Sequence, residues 1–483
     1  MKSATSAILA LAAVLFLAWG PAAHAAAPEK TASGEEAATA GSAGGGAENG
    51  VQAEPGAYLG DRAELGDLRS FLTGAAENNN ELRAAYHRWR AAVQKAVQAD
   101  TLPDPRFTFA YYTTPLETRG GPARYKYGLA QTLPFFGKLG YKEQMALRDA
   151  DGLKAKLDEM KLKTFYQVKS VYYEYAYLAQ AVGITRENIE LMDYLIKIAT
   201  ARYTTGLAQN AAVIRTEVAL GKLEDRLRSL EDLRAPLTAR LNALLDRPAD
   251  KEIALPPTIP VMRISETDEA LCADLRLTNP SLAFWDAQVA REEAGKGLAE
   301  RNFYPDFTFG VESTEVDEAR RPGMTGDGEN PVMVSMSVNL PVWLGAREAA
   351  VDESRAKAEA ARRNRAGLER TITADLELAL YKYRDAGRKI DLYRDTLVPK
   401  AEQSLGVDME AFMTGTGTSL DLIDSEQTLL ELKLAYYRAL TDQAQRLAEI
   451  ETLVGRELPC VFHGSLLKDG PATAALAAPA RKP

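Results

Sequence analysis

The fold is decided by DPRFTFAYYTTPLETRGGPARYKYGLAQTLPFFGKLG, residues 104–140. In 106–112, Phe107, Phe109 and Tyr111 alternate with Arg106, Thr108 and Ala110. In 125–133, Tyr125, Tyr127, Leu129 and Leu133 share a face opposite Lys126, Gly128, Ala130 and Thr132, and Gln131 is the exception on the apolar side. A period of two residues marks strands with one face against something apolar. The Gly/Pro-rich stretch between them reads as the turn of a hairpin. The opposite face is small and polar rather than heavily charged, as a water-filled lumen requires.

The pattern returns two hundred residues on. YPDFTF at 304–309 matches DPRFTF at 104–109, NPSL at 279–282 matches NNEL at 79–82, and Leu340-Pro341 matches Leu133-Pro134. Phe307, Phe309 and Val311 again oppose Thr308, Gly310 and Glu312. Val332, Val334, Met336, Val338 and Leu340 oppose Met333, Ser335, Ser337 and Asn339. Each copy has one order of periodicities: a helical stretch (66–101; 265–301), a hairpin (105–135; 305–341), a long helical run (141–203; 346–412), a glycine corner and a shorter helix (208–247; 418–456). The chain is therefore a tandem repeat, 65–250 and 265–457, joined by a proline-rich linker at 251–264.

The run 141–203 would span roughly 90 Å at the helical rise, more than a compact domain of this size. Its apolar positions, among them Leu153, Leu157, Met160, Phe165, Val168 and Tyr172, recur at heptad-like spacing, which predicts coiled-coil packing. Four strands in two hairpins leave open edges. Oligomerisation into a single barrel would close them, and a membrane tolerates only closed barrels.

At the corners the chain reads RYTTGLAQNAAVIRTEVALGKL (202–223) and FMTGTGTSLDLIDSEQTLLEL (412–432). A helical hairpin needs a residue that accepts positive φ, and Gly206, Gly415 and Gly417 supply it. Asp421 and Asp424 follow the second corner, three apart and so on one helix face, whereas the first corner has Ala212 and Arg215 at the matching positions. One reading makes the acids ordinary first-turn residues favoured by the helix dipole. The asymmetry between corners favours a functional pair.

Composition excludes several classes. A net charge of −9 argues against a nucleic-acid partner, and two cysteines, Cys272 and Cys460, exclude a disulfide framework while leaving a single bridge open. GTGTSL at 415–420 lacks the ending of a phosphate loop. No triad, carboxylate pair or metal-ligand spacing supports catalysis, and no cofactor is expected. Residues 1–25 read as a signal peptide ending in AHA. The Ala/Gly/Glu-rich 26–64 and the tail 458–483 read as disordered. After the leader, no apolar run is long enough for a transmembrane helix.

The repeat order, LPFFGKLG at 133–140, LPVWLG at 340–345, RYTTG at 202–206 and FMTGTGTSLDLID at 412–424 together resemble the TolC-like outer membrane efflux proteins, over about residues 66–457. The PDPRF and LPFFGKLG motifs are most similar to members paired with heavy-metal pumps. The resemblance implies a mainly helical chain with some β: a long-helix coiled-coil α-barrel plus four strands contributed to a trimeric, twelve-stranded transmembrane β-barrel. It implies a homotrimer in the outer membrane of a Gram-negative bacterium, reaching into the periplasm as the passive exit duct of a tripartite efflux or type I secretion system. Phe107, Phe109, Tyr111, Phe307, Phe309, Val334 and Val338 would face lipid. Thr205, Gly206, Leu207, Thr414, Gly415, Thr416 and Gly417 would form the tip turns that meet a periplasmic adaptor, with an inner-membrane pump beyond. Asp421 and Asp424 would line the gate as acidic rings. Some members carry a basic residue within the second corner; here Gly417 stands there, so that locking contact is not expected. The alternative is a soluble periplasmic coiled-coil adaptor or scaffold whose hairpins pack on its own core. Metal ions, organic compounds and proteins all stand as candidate cargo.

Overall fold

The computed structural model describes residues 66–118, 121–205, 210–256, 259–318 and 329–463. The signal peptide and the segment 26–64 lie outside these, as does most of the tail.

Each copy opens with two helices where the sequence predicts one. α1 (Gly66–Asn78) and α2 (Asn80–Ala99) break at Asn79. Its side-chain oxygen accepts the Leu82 N–H at 3.0 Å, and its amide donates to the Leu244 carbonyl at 3.1 Å. The second copy repeats the device. Asn279, followed by Pro280, accepts from the N–H groups of Ser281 and Leu282 and donates to the Leu453 carbonyl at 2.8 Å. A capping asparagine ends one helix and starts the next while gripping the end of a distant helix.

β1 (Arg106–Thr118) and β2 (Gly121–Leu133) precede α3 (Lys138–Thr204), whose 67 residues rise roughly 100 Å. α4 (Asn210–Asp232) and α5 (Arg234–Leu244) share the span expected as one helix. In the second copy β3 (Val261–Ile264), α6 (Asp268–Thr278), α7 (Pro280–Arg301), β4 (Phe307–Val316) and β5 (Val332–Val338) lead into α8 (Leu344–Leu392). A π-helical turn at Tyr393–Leu397 separates α8 from α9 (Val398–Thr414). Pro399 cannot donate to the Asp395 carbonyl, and the helix widens there. α10 (Ser419–Val454) and β6 (Cys460–His463) complete the described chain.

Two boundaries differ from the sequence reading. The linker 251–264 ends in β3, and the tail 458–483 begins with β6; the two pair antiparallel, Val261 opposite His463 and Ile264 opposite Cys460. Two short strands about 200 residues apart give no local periodic signal, so only tertiary pairing reveals them. Cys272 and Cys460 form no disulfide.

The main core draws on both copies: Leu68 and Leu72 of α1, Phe165, Val168 and Tyr175 of α3, Leu271 and Leu275 of α6, Leu376 of α8, Leu447 and Ile450 of α10. Tyr175 donates its hydroxyl proton to the Ile253 carbonyl at 2.9 Å. A buried ion cluster also ties the copies. Lys169 on α3 lies 2.6 Å from Glu451 on α10 and 3.3 Å from Glu457. A second core, with Met192, Leu195, Val213, Phe412, Leu422 and Leu430, runs toward the corners.

Candidate functional site

Two regions answer to the sequence expectations, a sheet and a helical tip. The sheet has the order β1-β2-β4-β5, antiparallel throughout. Phe107 stands opposite Leu129, Leu129 opposite Val311, and Val311 opposite Val334. This register aligns the apolar residues of all four strands on one face. Phe107 is 67% exposed and Val334 76% exposed; Phe109, Tyr111 and Phe309 are also exposed, and Phe307 and Val338 are half-buried. Among the described residues no helix hides this face. The opposite face carries Lys126 paired with Glu312 at 2.6 Å and Thr132 bonded to Thr308 at 2.9 Å. Among the described residues, β1 and β5 have no partner on their outer edges.

At the second corner, Gly415 takes φ +91°, and the Ala411 carbonyl accepts from the N–H groups of Gly415, Thr416 and Gly417 at 2.9–3.0 Å. Gly417 has a different reason to be glycine: a Cβ there would lie 2.9 Å from the Ala411 Cβ and 3.1 Å from backbone atoms. At the first corner Thr205 closes α3, its N–H and hydroxyl both donating to the Ala201 carbonyl. Gly206 and Leu207 lie outside the described residues.

Asp421 is held locally. Thr418 accepts the Asp421 N–H at 3.2 Å, and the Asp421 carboxylate accepts from the Thr418 N–H at 3.3 Å and hydroxyl at 2.6 Å. That reciprocal pair is a capping box. It gives Asp421 a local reason to stand in the first turn of α10. Asp424, one turn on, is exposed. The neighbouring Ser425 donates to Asp408 of α9.

Two residues passed over in the sequence shape this tip. Arg202, in the last turn of α3, donates to the Phe412 carbonyl of α9 and holds its guanidinium 5.2 Å from the Phe412 ring centre. The two corners are thus joined by a basic residue of the first rather than of the second. Glu426 follows Leu422 and Ile423 on the buried stripe of α10 and is 0% exposed, with neither carboxylate oxygen hydrogen-bonded. Burial alone pushes its pKa up to about 7. Its position among Leu422, Ile423, Leu429 and Leu430 was the available sequence signal.

A sheet with bare edges and one exposed apolar face, carried on helices far longer than a compact domain, is one segment of a channel wall. The comparisons give the family. Residues 72–246 and 271–456 match "Outer membrane efflux protein", one match in each copy and about three quarters of the chain, and the chain belongs to that family. Among curated relatives it is similar to nodulation protein T of Rhizobium leguminosarum bv. trifolii, 21% identical over 327 residues, covering 66% of this chain and 69% of that protein. It is also 22% identical over 396 residues to the cobalt-zinc-cadmium resistance protein CzcC of Cupriavidus metallidurans, covering 80% of this chain and 90% of the relative. The outer membrane protein VceC of Vibrio cholerae has the same fold, with TM-score 0.67 and 16% identity over 80% or more of each chain (81% and 97%). The chain is an outer membrane efflux channel and not a soluble adaptor. Among the described residues no helix is long and apolar enough to cross a membrane.

Proposed function

We propose that three copies pair β5 of one chain with β1 of the next, closing a twelve-stranded barrel in the outer membrane of a Gram-negative bacterium, with the helices forming a periplasmic tunnel. The observation that carries this is the four-stranded sheet with two bare edges and one aligned apolar face. Bare edges are templates for further strands, and in lipid every backbone group must be paired. The turns at Thr205, Gly206, Leu207, Thr414, Gly415, Thr416 and Gly417 are assigned to a periplasmic adaptor, and an inner-membrane pump supplies the energy.

Asp421 and Asp424 are assigned to the gate. Repeated around a threefold axis they form stacked acidic rings, which concentrate cations and repel anions. Asp424 has the freer carboxylate, since Asp421 is engaged by Thr418. Acidic rings, together with a relative named for cobalt, zinc and cadmium resistance, make a divalent metal cation the first cargo to test.

The experiment is single-channel conductance in a planar bilayer, wild type beside Asp424→Ala and Asp421→Ala. A small cation-selective conductance, blocked by divalent cations and relieved in Asp424→Ala, supports both duct and gate. Conductance indifferent to both substitutions removes the gate assignment. A monomeric protein without conductance overturns the trimeric duct.

A further inference from the structure

Where the sheet gives way to the helices there is a groove of about 600 Å³. Its walls include Leu133 at the end of β2, Phe307 and Phe309 on β4, Met336 on β5, and Phe135 and Phe136 of the turn before α3; every lining residue is apolar or glycine. Leu133 stands opposite Phe307, and Phe309 opposite Met336. The groove therefore opens on the same sheet face as Phe107 and Val334 and continues it toward the helices. It centres on β2 and β4, the inner strands, so copies joining at the β1 and β5 edges leave it uncovered.

Its wall is built rigidly. Phe135 stacks on Tyr304 with ring centres 4.5 Å apart, and its N–H donates to the Asp306 carboxylate at 2.8 Å. Lys138 donates to the same carboxylate at 2.7 Å and to the Tyr304 carbonyl at 2.9 Å, so that charge is spent inside the wall. Phe136 is 85% exposed on the rim.

The helix-side rim is cationic. Gly137, a lining residue, lies close to Arg301: a Cβ on the glycine would sit 3.7 Å from the Arg301 Nε. Arg301 ends α7, is exposed, and forms no ion pair with any described residue. An apolar groove running along the strands with an exposed guanidinium at its helical end matches an amphiphile whose anionic head points toward the helices. In the barrel orientation that is the periplasmic leaflet, whose headgroups face the periplasm.

We propose that this groove binds one acyl chain of a glycerophospholipid of the periplasmic leaflet, with the lipid phosphate on Arg301. The assignment rests on the reading of the apolar sheet face as lipid-facing. Arginine suits the role because its planar fork can meet two phosphate oxygens at once. A lipid fixed at each strand–helix junction would stiffen the point where tunnel movements reach the barrel.

The test is native mass spectrometry of the full-length protein released from detergent, titrated with phosphatidylglycerol and, in parallel, with uncharged diacylglycerol. Arg301→Gln and Phe136→Glu change exposed side chains and should fold. Arg106→Gln, an exposed arginine at the start of β1, is the control. One phosphatidylglycerol per chain is expected for wild type and the control, with affinity lowered about tenfold in Arg301→Gln, the loss of one charge-assisted contact. Diacylglycerol should bind more weakly and respond only to Phe136→Glu. Equal retention by all variants would mean an unspecific lipid shell and overturn the proposal, as would a co-purified protein segment occupying the groove. Bilayer conductance on the same samples separates the two readings. A conducting channel that retains no lipid overturns the groove alone, whereas a protein that fails to insert overturns the lipid-facing sheet and the groove with it.

Discussion

Glu426 makes the tip sensitive to pH in a direction that can be calculated. Its carboxyl lies on the buried stripe of α10, fully covered and without a hydrogen bond. Burial is the cause that raises its pKa from 4.5 to about 7; neither Asp424 on the same helix nor Asp408 across on α9 contributes. The folded state therefore prefers the protonated acid. Below pH 4.5 both folded and opened states hold the proton, and no penalty exists. Between pH 4.5 and 7 the opened state ionises while the folded state does not, so stability falls by about 1.36 kcal/mol per pH unit. Above pH 7 the loss is complete at roughly 3 kcal/mol.

Hydrogen exchange of the backbone amides around 405–430 reads this directly, since local opening exposes the group. After correction for intrinsic exchange chemistry, wild-type protection should drop roughly 30-fold between pH 5.5 and 8. Glu426→Leu, which removes the titrating group and keeps the site apolar, should flatten the dependence and raise protection at pH 8. Protection that rises with pH in wild type, or an unchanged slope in Glu426→Leu, would refute the assignment of a buried, unpaired carboxyl.

Three further substitutions follow from single contacts. Lys169→Met leaves Glu451 buried beside the Leu458 N–H without its cation, and thermal unfolding in detergent should show a loss of about 3–5 kcal/mol, largely recovered when Glu451→Leu is added. Gly455→Ala forces a side chain onto φ +94° and puts its Cβ 2.6 Å from the Thr278 carbonyl oxygen; the same melt should fall by about 1–3 kcal/mol, and an unchanged melt would contradict the close approach. Arg202→Met keeps the aliphatic stem but loses the bond to the Phe412 carbonyl and the contact with its ring, so amide exchange at 409–416 should quicken about 5- to 30-fold with the global melt little changed.

The strands were legible because a sheet with one apolar face must alternate, and 106–111 and 334–340 follow that period. The long helices were legible from their heptad-like spacing. The breaks at Asn79 and Asn279 were not, because each is made by a side chain that reaches a carbonyl of a distant helix, Leu244 or Leu453. NNEL and NPSL marked the repeat without disclosing why asparagine stands there. At the tip, the spacing of Thr418 and Asp421 already spelled a capping pair, a local cause for an acid that the asymmetry of the corners had suggested was functional. Arg202 had no such signal: its partner is a backbone carbonyl some two hundred residues away.

The two copies also show how one pattern acquires two chemistries. α4 and α10 begin at Asn210 and Ser419, 209 positions apart like the corner glycines, and at that offset Glu426 corresponds to Glu217 and Ile423 to Ile214. In α10, Ile423 is 8% exposed in a core shared with α3, α4 and α9, and Glu426 is covered completely. In α4, Ile214 is 51% exposed and Glu217 is solvated, because α3 is its principal neighbour. Same position, same residue type, opposite environments: burial is what raises the Glu426 pKa. The exposed face of α4 carries Ile214 and Val218, 51% and 54% exposed. Glu426, by contrast, is already covered completely within one chain. The pH response of the tip should therefore survive in a dissociated monomer, and its loss on dissociation would refute a cause lying within one chain.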